Sequence, residues 1–141
     1  MKYFYIEPEV AGGMGKNTVM NRGVHPPIVS KLHYHFDGWL GDQLLESFPC
    51  FIASELVKQR IQEARFTGMD FDQVEITVSE QFQELYPNRQ LPKFVWLKVE
   101  GIAGQDDFGT APDARLIASE RALELLQGLG ISHASVTEFH L

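Results

Sequence analysis

The strongest constraint on how this chain folds is a pattern that occurs twice. Phe51-Ile-Ala-Ser-Glu55 and Leu116-Ile-Ala-Ser-Glu120 share four residues, and Ile52 and Ile117 stand 65 positions apart. Each copy opens on a short apolar run, continues through an amphipathic stretch, reaches a glycine and ends on a β-like tail. The serine of each copy can accept an orphan backbone N–H of a helix's first turn. The glutamate after it complements the positive end of the helix dipole. Val57, Ile61 and Ala64 form an apolar stripe in the first copy, and Ala122, Leu125, Leu126 and Leu129 form one in the second. Gly68 and Gly130 are the expected stops. The sequence therefore predicts a strand–helix–strand unit made twice. Two copies are too few for a solenoid, so they should share one core.

The rest of the chain predicts the partners of these units. Residues 3–7 alternate and are rich in aromatics, a first strand. Val10 to Pro27 holds four glycines and two prolines and reads as a long loop or arm. Ile28 to Phe36 is β-like and ends at the turn signal Asp37-Gly38. Trp39 to Phe48 suggests a short helix or turn with Leu40, Leu44 and Leu45 on one side, ended by Pro49. Phe71 to Val78 carries Val74, Ile76 and Val78 in alternation and should be a strand, Ser79 caps a short helix to about Tyr86, and Phe94 to Glu100 is the clearest strand. Gly101 to Pro112 reads as a polar loop, and Ser135 to Leu141 as the last strand. At 141 residues this is one expected domain, 1–141, with 1–27 a strand plus loop or arm. The expected class is α+β, with a mixed or mainly antiparallel sheet, because the remaining connections are short.

Charge narrows the function. The net charge is −7; residues 1–35 sum to +2 and the remainder to −9. Such a balance disfavours direct nucleic-acid binding, which needs a basic surface, and suits a basic protein partner. No apolar run is long enough for a membrane helix. The N-terminal residues lack the apolar core of a signal peptide, which makes the cytoplasm the expected compartment.

Four motifs invite chemistry. Gly12-Gly-Met-Gly-Lys-Asn-Thr18 resembles a phosphate loop, but Val10 and Asn17 stand where glycine and Ser/Thr are required. His33, His35 and Asp37 alternate along a strand and could converge as metal ligands of a small hydrolase, with hydrogen-bonded strand histidines as the alternative. Cys50, between Pro49 and Phe51, reads as a small buried hydrophobe. Asp106-Asp107, beside Glu100 and Asp113, reads as solvated loop acids or as a surface for a basic partner. Trp96 belongs in the core; Trp39 fits either the core or a partly exposed interface anchor.

Three segments together carry a family resemblance: Cys50-Phe-Ile-Ala-Ser-Glu55 with its helix and Gly68, Trp96-Leu-Lys-Val-Glu-Gly-Ile-Ala-Gly-Gln-Asp-Asp-Phe108, and Arg115-Leu-Ile-Ala-Ser-Glu120 with its helix. Over residues 33–139 the chain resembles predicted immunity proteins of bacterial polymorphic-toxin systems. The resemblance implies a small cytoplasmic antitoxin that binds a cognate toxin domain, without catalysis, cofactor or membrane association. No contact residue carries over from the family. The candidates for toxin contact on this chain are Trp39, Asp42, Glu46, Asp106, Asp107 and Phe108. A general interaction or homodimeric structural module is the alternative.

Overall fold

The computed structural model describes all 141 residues. In chain order the elements are β1 (Tyr3–Glu7), β2 (Gly12–Met14), β3 (Val19–Asn21), β4 (Ile28–Lys31), β5 (His33–Phe36), β6 (Leu44–Ser47), β7 (Cys50–Ser54), α1 (Glu55–Ala64), β8 (Met69–Asp72), β9 (Glu75–Val78), α2 (Glu80–Leu85), β10 (Phe94–Val99), β11 (Phe108–Thr110), β12 (Leu116–Ser119), α3 (Glu120–Leu129) and β13 (Ser135–Phe139). The fold is α+β with mainly antiparallel sheets. Two four-stranded sheets run in the orders β6-β7-β10-β8 and β11-β12-β1-β13, beside a three-stranded sheet β2-β5-β9 and the hairpin β3-β4. Only β5 and β9 pair in parallel within the sheets.

The repeat extends beyond the strand–helix–strand unit. β6-β7-α1-β8 and β11-β12-α3-β13 match element for element, and each completes its sheet with a strand from the other half of the sequence. β10, which precedes the second unit, pairs with β7 and β8. β1, which precedes the first, pairs with β12 and β13. The halves are thus interlocked by exchanged strands. Equivalent bonds mark the symmetry: Glu55 N–H donates to Lys93 C=O at 2.9 Å and Glu120 N–H to Lys2 C=O at 3.1 Å.

The caps arise as the sequence predicts. Ser54 and Ser119 are extended, and their hydroxyls accept from the N–H of Val57 and Ala122. Ser79 does the same for Phe82 at the start of α2. Gly130 ends α3 in the left-handed region. For α1 the stop differs: Arg65, not Gly68, holds the left-handed cap at φ 59°. Gly68 serves a close approach instead, because a Cβ there would meet the Phe108 carbonyl.

Strand alternation then sorts side chains between two main cores. Phe51 and Ala53 of β7 and Leu116 and Ala118 of β12 face α1 and α3, joining Val57, Ile61, Ala122 and Leu126 in a core shared by both halves. Cys50 and Ile52 face the other way, into a second core with Tyr34, Phe36, Trp39, Phe82, Phe94 and Trp96 beneath the β2-β5-β9 layer and α2. The outer face of the β1-containing sheet has no such layer; its buried apolar cluster is only Tyr3, Ala111 and Ile117.

Several segments depart from the sequence reading. The Val10–Pro27 arm contains β2 and β3. Gly12 is a strand glycine because a Cβ would collide with the His35 carbonyl, and Gly15, just after β2, is glycine because a Cβ would enter the His33 ring. Trp39 to Phe48 forms no helix: Leu44 and Leu45 are buried in β6 while Leu40 is exposed. The strand expected over Phe71–Val78 breaks into β8 and β9, which join different sheets. The polar segment 101–112 includes β11, whose Phe108 is fully buried.

Candidate functional site

β5 positions the two strand histidines on one face, with the rings 6.2 Å apart between centroids. The Thr77 hydroxyl of parallel neighbour β9 sits between them, 2.7 Å from His33 Nε2 and 2.6 Å from His35 Nδ1. His33 Nδ1 accepts the Asn17 backbone N–H at 3.2 Å. That bond leaves His33 its ring proton on Nε2, which donates to Thr77 Oγ1. Thr77 in turn donates to His35 Nδ1. The Asn17 side chain reaches Glu75, whose Oε2 lies 4.0 Å from His33 Nε2. The histidines therefore form an ordered chain that ties the Gly15–Thr18 turn to β5 and β9. Asp37 is exposed, beyond the end of β5, and does not join them. His33, His35 and Asp37 do not converge as a three-ligand centre, because a hydroxyl occupies the space between the two imidazoles.

The phosphate-loop reading fails in space as it does in sequence. Gly12–Met14 is a strand paired with β5, and the segment after Thr18 is the β3-β4 hairpin, with no helix N-terminus to face an anion. Cys50 is buried, and burial pushes its thiol up to about 12, the reverse of what a nucleophile needs.

One cluster of possible metal ligands was not visible in the sequence. Glu9, Asp42 and His133 bring ligand atoms within 4.8 Å of one another. Each already has bonds that hold the fold. Glu9 accepts the Leu40 N–H at 2.6 Å and the Asp42 N–H at 3.2 Å. Asp42 accepts the His133 backbone N–H at 2.9 Å and lies 2.7 Å from His133 Nδ1. These three residues could hold a cation by giving up those bonds. As arranged, they clamp the start of β6 to the turn after α3.

Asp107 performs the equivalent task for the other half. Its carboxylate accepts from Ser119 Oγ at 2.8 Å, from the Thr67 N–H at 3.1 Å, and from Arg121 Nε and Nη2 at 2.7 and 2.9 Å. Burial pushes the Asp107 carboxyl up, but the bonds from Arg121, Ser119 and Thr67 outweigh burial and hold it below its usual value.

The proposed contact residues fall into place accordingly. Trp39 is in the second core, its indole N–H donating to the Asp42 carbonyl at 2.9 Å. Asp42, Asp107 and Phe108 are buried, so these four side chains have no surface to offer a partner. Asp106 is half-buried and accepts the Ile102 N–H. Glu46 is half-buried; burial, and then the nearby Glu7 charge, push its carboxyl up. The exposed apolar residues nearby in sequence are different: Leu40, next to Trp39, is 62% exposed and Leu85, next to Tyr86, 59%. The Arg89 guanidinium lies 4.6 Å above the Trp39 ring and 5.3 Å from that of Tyr86. Glu80 and Glu84 stand on the exposed side of α2.

Fold and site together define an α+β protein of two interlocked halves whose buried polar groups are engaged in holding the chain. No protein-family pattern, no curated protein and no solved structure matches it. No helix is long and apolar enough to cross a membrane.

Proposed function

We propose that this protein is an immunity protein that neutralises a basic toxin domain by covering it, without chemistry of its own. The observation that supports this most is uncompensated surface acid. Lys31, Arg60, Lys93, Lys98, Arg115 and Arg121 each lie within 4.0 Å of a carboxylate. They account for six of the 12 Lys and Arg residues, and the other six stand against the 13 remaining Asp and Glu residues. Glu80, Glu84, Glu120 and Glu124 are exposed and have no such partner. A field of that sign raises the encounter rate with a cationic surface.

The contact surface best suited to the task is the α2 region rather than the buried acids. Leu40 and Leu85 flank the Trp39–Arg89–Tyr86 stack in sequence, and Glu80 and Glu84 supply charge. Such a patch offers apolar contact, a rigid aromatic base and acidic steering. Co-expression with the toxin domain encoded beside this gene tests the reading. The pair should co-purify and the cells should survive. A Leu40→Asp/Leu85→Asp variant should remain folded and lose protection. Survival without a complex, or no survival at all, would reject the proposal.

A further inference from the structure

The two sheets end on equivalent edge strands, β8 and β13, and the two edges differ. Because Glu120 N–H donates to Lys2 C=O, Lys2, Phe4 and Ile6 turn their backbone groups toward β12, and Tyr3, Tyr5 and Glu7 turn theirs toward β13. Their partners Phe139, Thr137 and Ser135 are thereby engaged. The N–H and C=O groups of Val136 and Glu138 point away from the sheet. The matching bond from Glu55 N–H to Lys93 C=O turns the groups of Phe71 and Gln73 outward from β8.

On β8 the chain closes its own edge. Phe71 N–H donates to Asp70 Oδ1 at 2.8 Å and Gln73 N–H to Asp72 Oδ1 at 2.7 Å. The registers against β10 and β1 align Asp70 with Ser135 and Asp72 with Thr137. On β13, neither Ser135 nor Thr137 bonds the N–H that follows it. Charged, self-bonded edges resist strand addition, and open edges rich in Val, Thr and Phe invite it.

We propose that two copies of this chain associate through β13, antiparallel about a two-fold axis at Thr137, joining two four-stranded sheets into one of eight. The strand's outward groups are self-complementary in this register. Val136 and Glu138 of one copy meet Glu138 and Val136 of the other, forming four N–H···O bonds. Thr137 faces Thr137, and Ser135 faces Phe139. The neighbouring symmetric registers fail. An axis at Glu138 sets like charges opposite each other. An axis at Val136 calls on Ala134, whose N–H is already bonded to the Ile131 carbonyl at 3.0 Å. A contact of five residues buries less than the roughly 1,200 Å² of a stable specific complex, so the dimer is weak. Each copy carries −7, so salt strengthens the dimer by screening repulsion. A basic partner strand on the same edge would show the opposite dependence.

Analytical ultracentrifugation of the full chain, from about 10 µM to about 1 mM at about 0.05 and 0.5 M NaCl, tests this. The mass should rise from 16.0 kDa toward twice that value, at lower concentration in high salt. Ser135→Asp/Thr137→Asp, which copies the closed edge, should remain monomeric with an unchanged melting curve, while Thr137→Val should still associate. In the wild type, amide exchange at Val136 and Glu138 should slow as concentration rises. A wild type monomeric throughout, a double aspartate variant that dimerises equally well, or association without protection at these two amides would each overturn the proposal.

Discussion

Replacing Asp107 with alanine distinguishes a structural carboxylate from a surface acid held for a partner. The side chain is 4% exposed and has four hydrogen-bond donors within 3.1 Å. Alanine leaves the Ser119 hydroxyl and the Thr67 N–H without an acceptor in a largely dry site. At about 1–3 kcal/mol for each orphaned donor, Asp107→Ala should cost about 3 kcal/mol. Arg121→Ala leaves the carboxylate its bonds from Ser119 and Thr67, and water takes the place of a guanidinium that is mostly exposed, so it should cost less. Urea denaturation followed by circular dichroism measures both. The acid limb gives a second readout. The folded-state carboxyl lies below its unfolded value, so its stabilisation is present above the unfolded pKa and is lost as pH falls through the folded one. That acid dependence should shrink in Asp107→Ala. Equal losses in the two variants, or a loss under about 0.5 kcal/mol for Asp107→Ala, would refute the clamp.

Three further outcomes follow from the same geometry. Ser54→Ala removes the hydroxyl that accepts the third helical N–H and should cost about 1 kcal/mol by denaturant titration, whereas Ser119→Ala also removes a donor to the buried Asp107 carboxylate and should cost more. Cys50 should resist thiol reagents in the native state and react only at the rate of unfolding, because the thiol is buried and pushed up to about 12. Asp70→Ser/Asp72→Thr should open the β8 edge and give assemblies larger than a dimer in light scattering, since each chain would then carry two open edges.

The capped helices were legible because their signals are local. Ser54, Ser79 and Ser119 lie within three residues of the N–H groups they cap. Stripe positions Val57, Ile61, Ala122 and Leu126 are buried as expected, Leu125 and Leu129 partly so, and Ala64, the last residue of α1, is exposed instead. Sheet membership was not legible. Val74, Ile76 and Val78 alternate, and the period slips between Phe71 and Val74, where Gln73 and Val74 carry the chain from one sheet to another; the slip does not say which sheet each part joins. The duplicated unit was visible, but the exchange of β1 and β10 between its halves depends on long-range pairing.

Glycine misled for a physical reason. The same residue that permits a mobile loop also permits close backbone approach, and Gly12 and Gly15 serve the second purpose. The acids misled likewise: Asp42 and Asp107 have loop sequence around them, but their acceptors meet amides at His133 and Thr67, 91 and 40 residues away. His33 and His35 were correctly placed on one face. Thr77, which binds them both, carries no local sign of doing so.

An immunity protein that works through its acidic surface should be drawn to a basic toxin by charge. Stopped-flow association with the toxin domain encoded beside this gene, measured across ionic strength, reads that attraction. The association rate should fall steeply with salt, and fall again when Glu80→Lys/Glu84→Lys reverses the charge on α2. A rate indifferent to both salt and charge reversal, or no association with that domain, would contradict it.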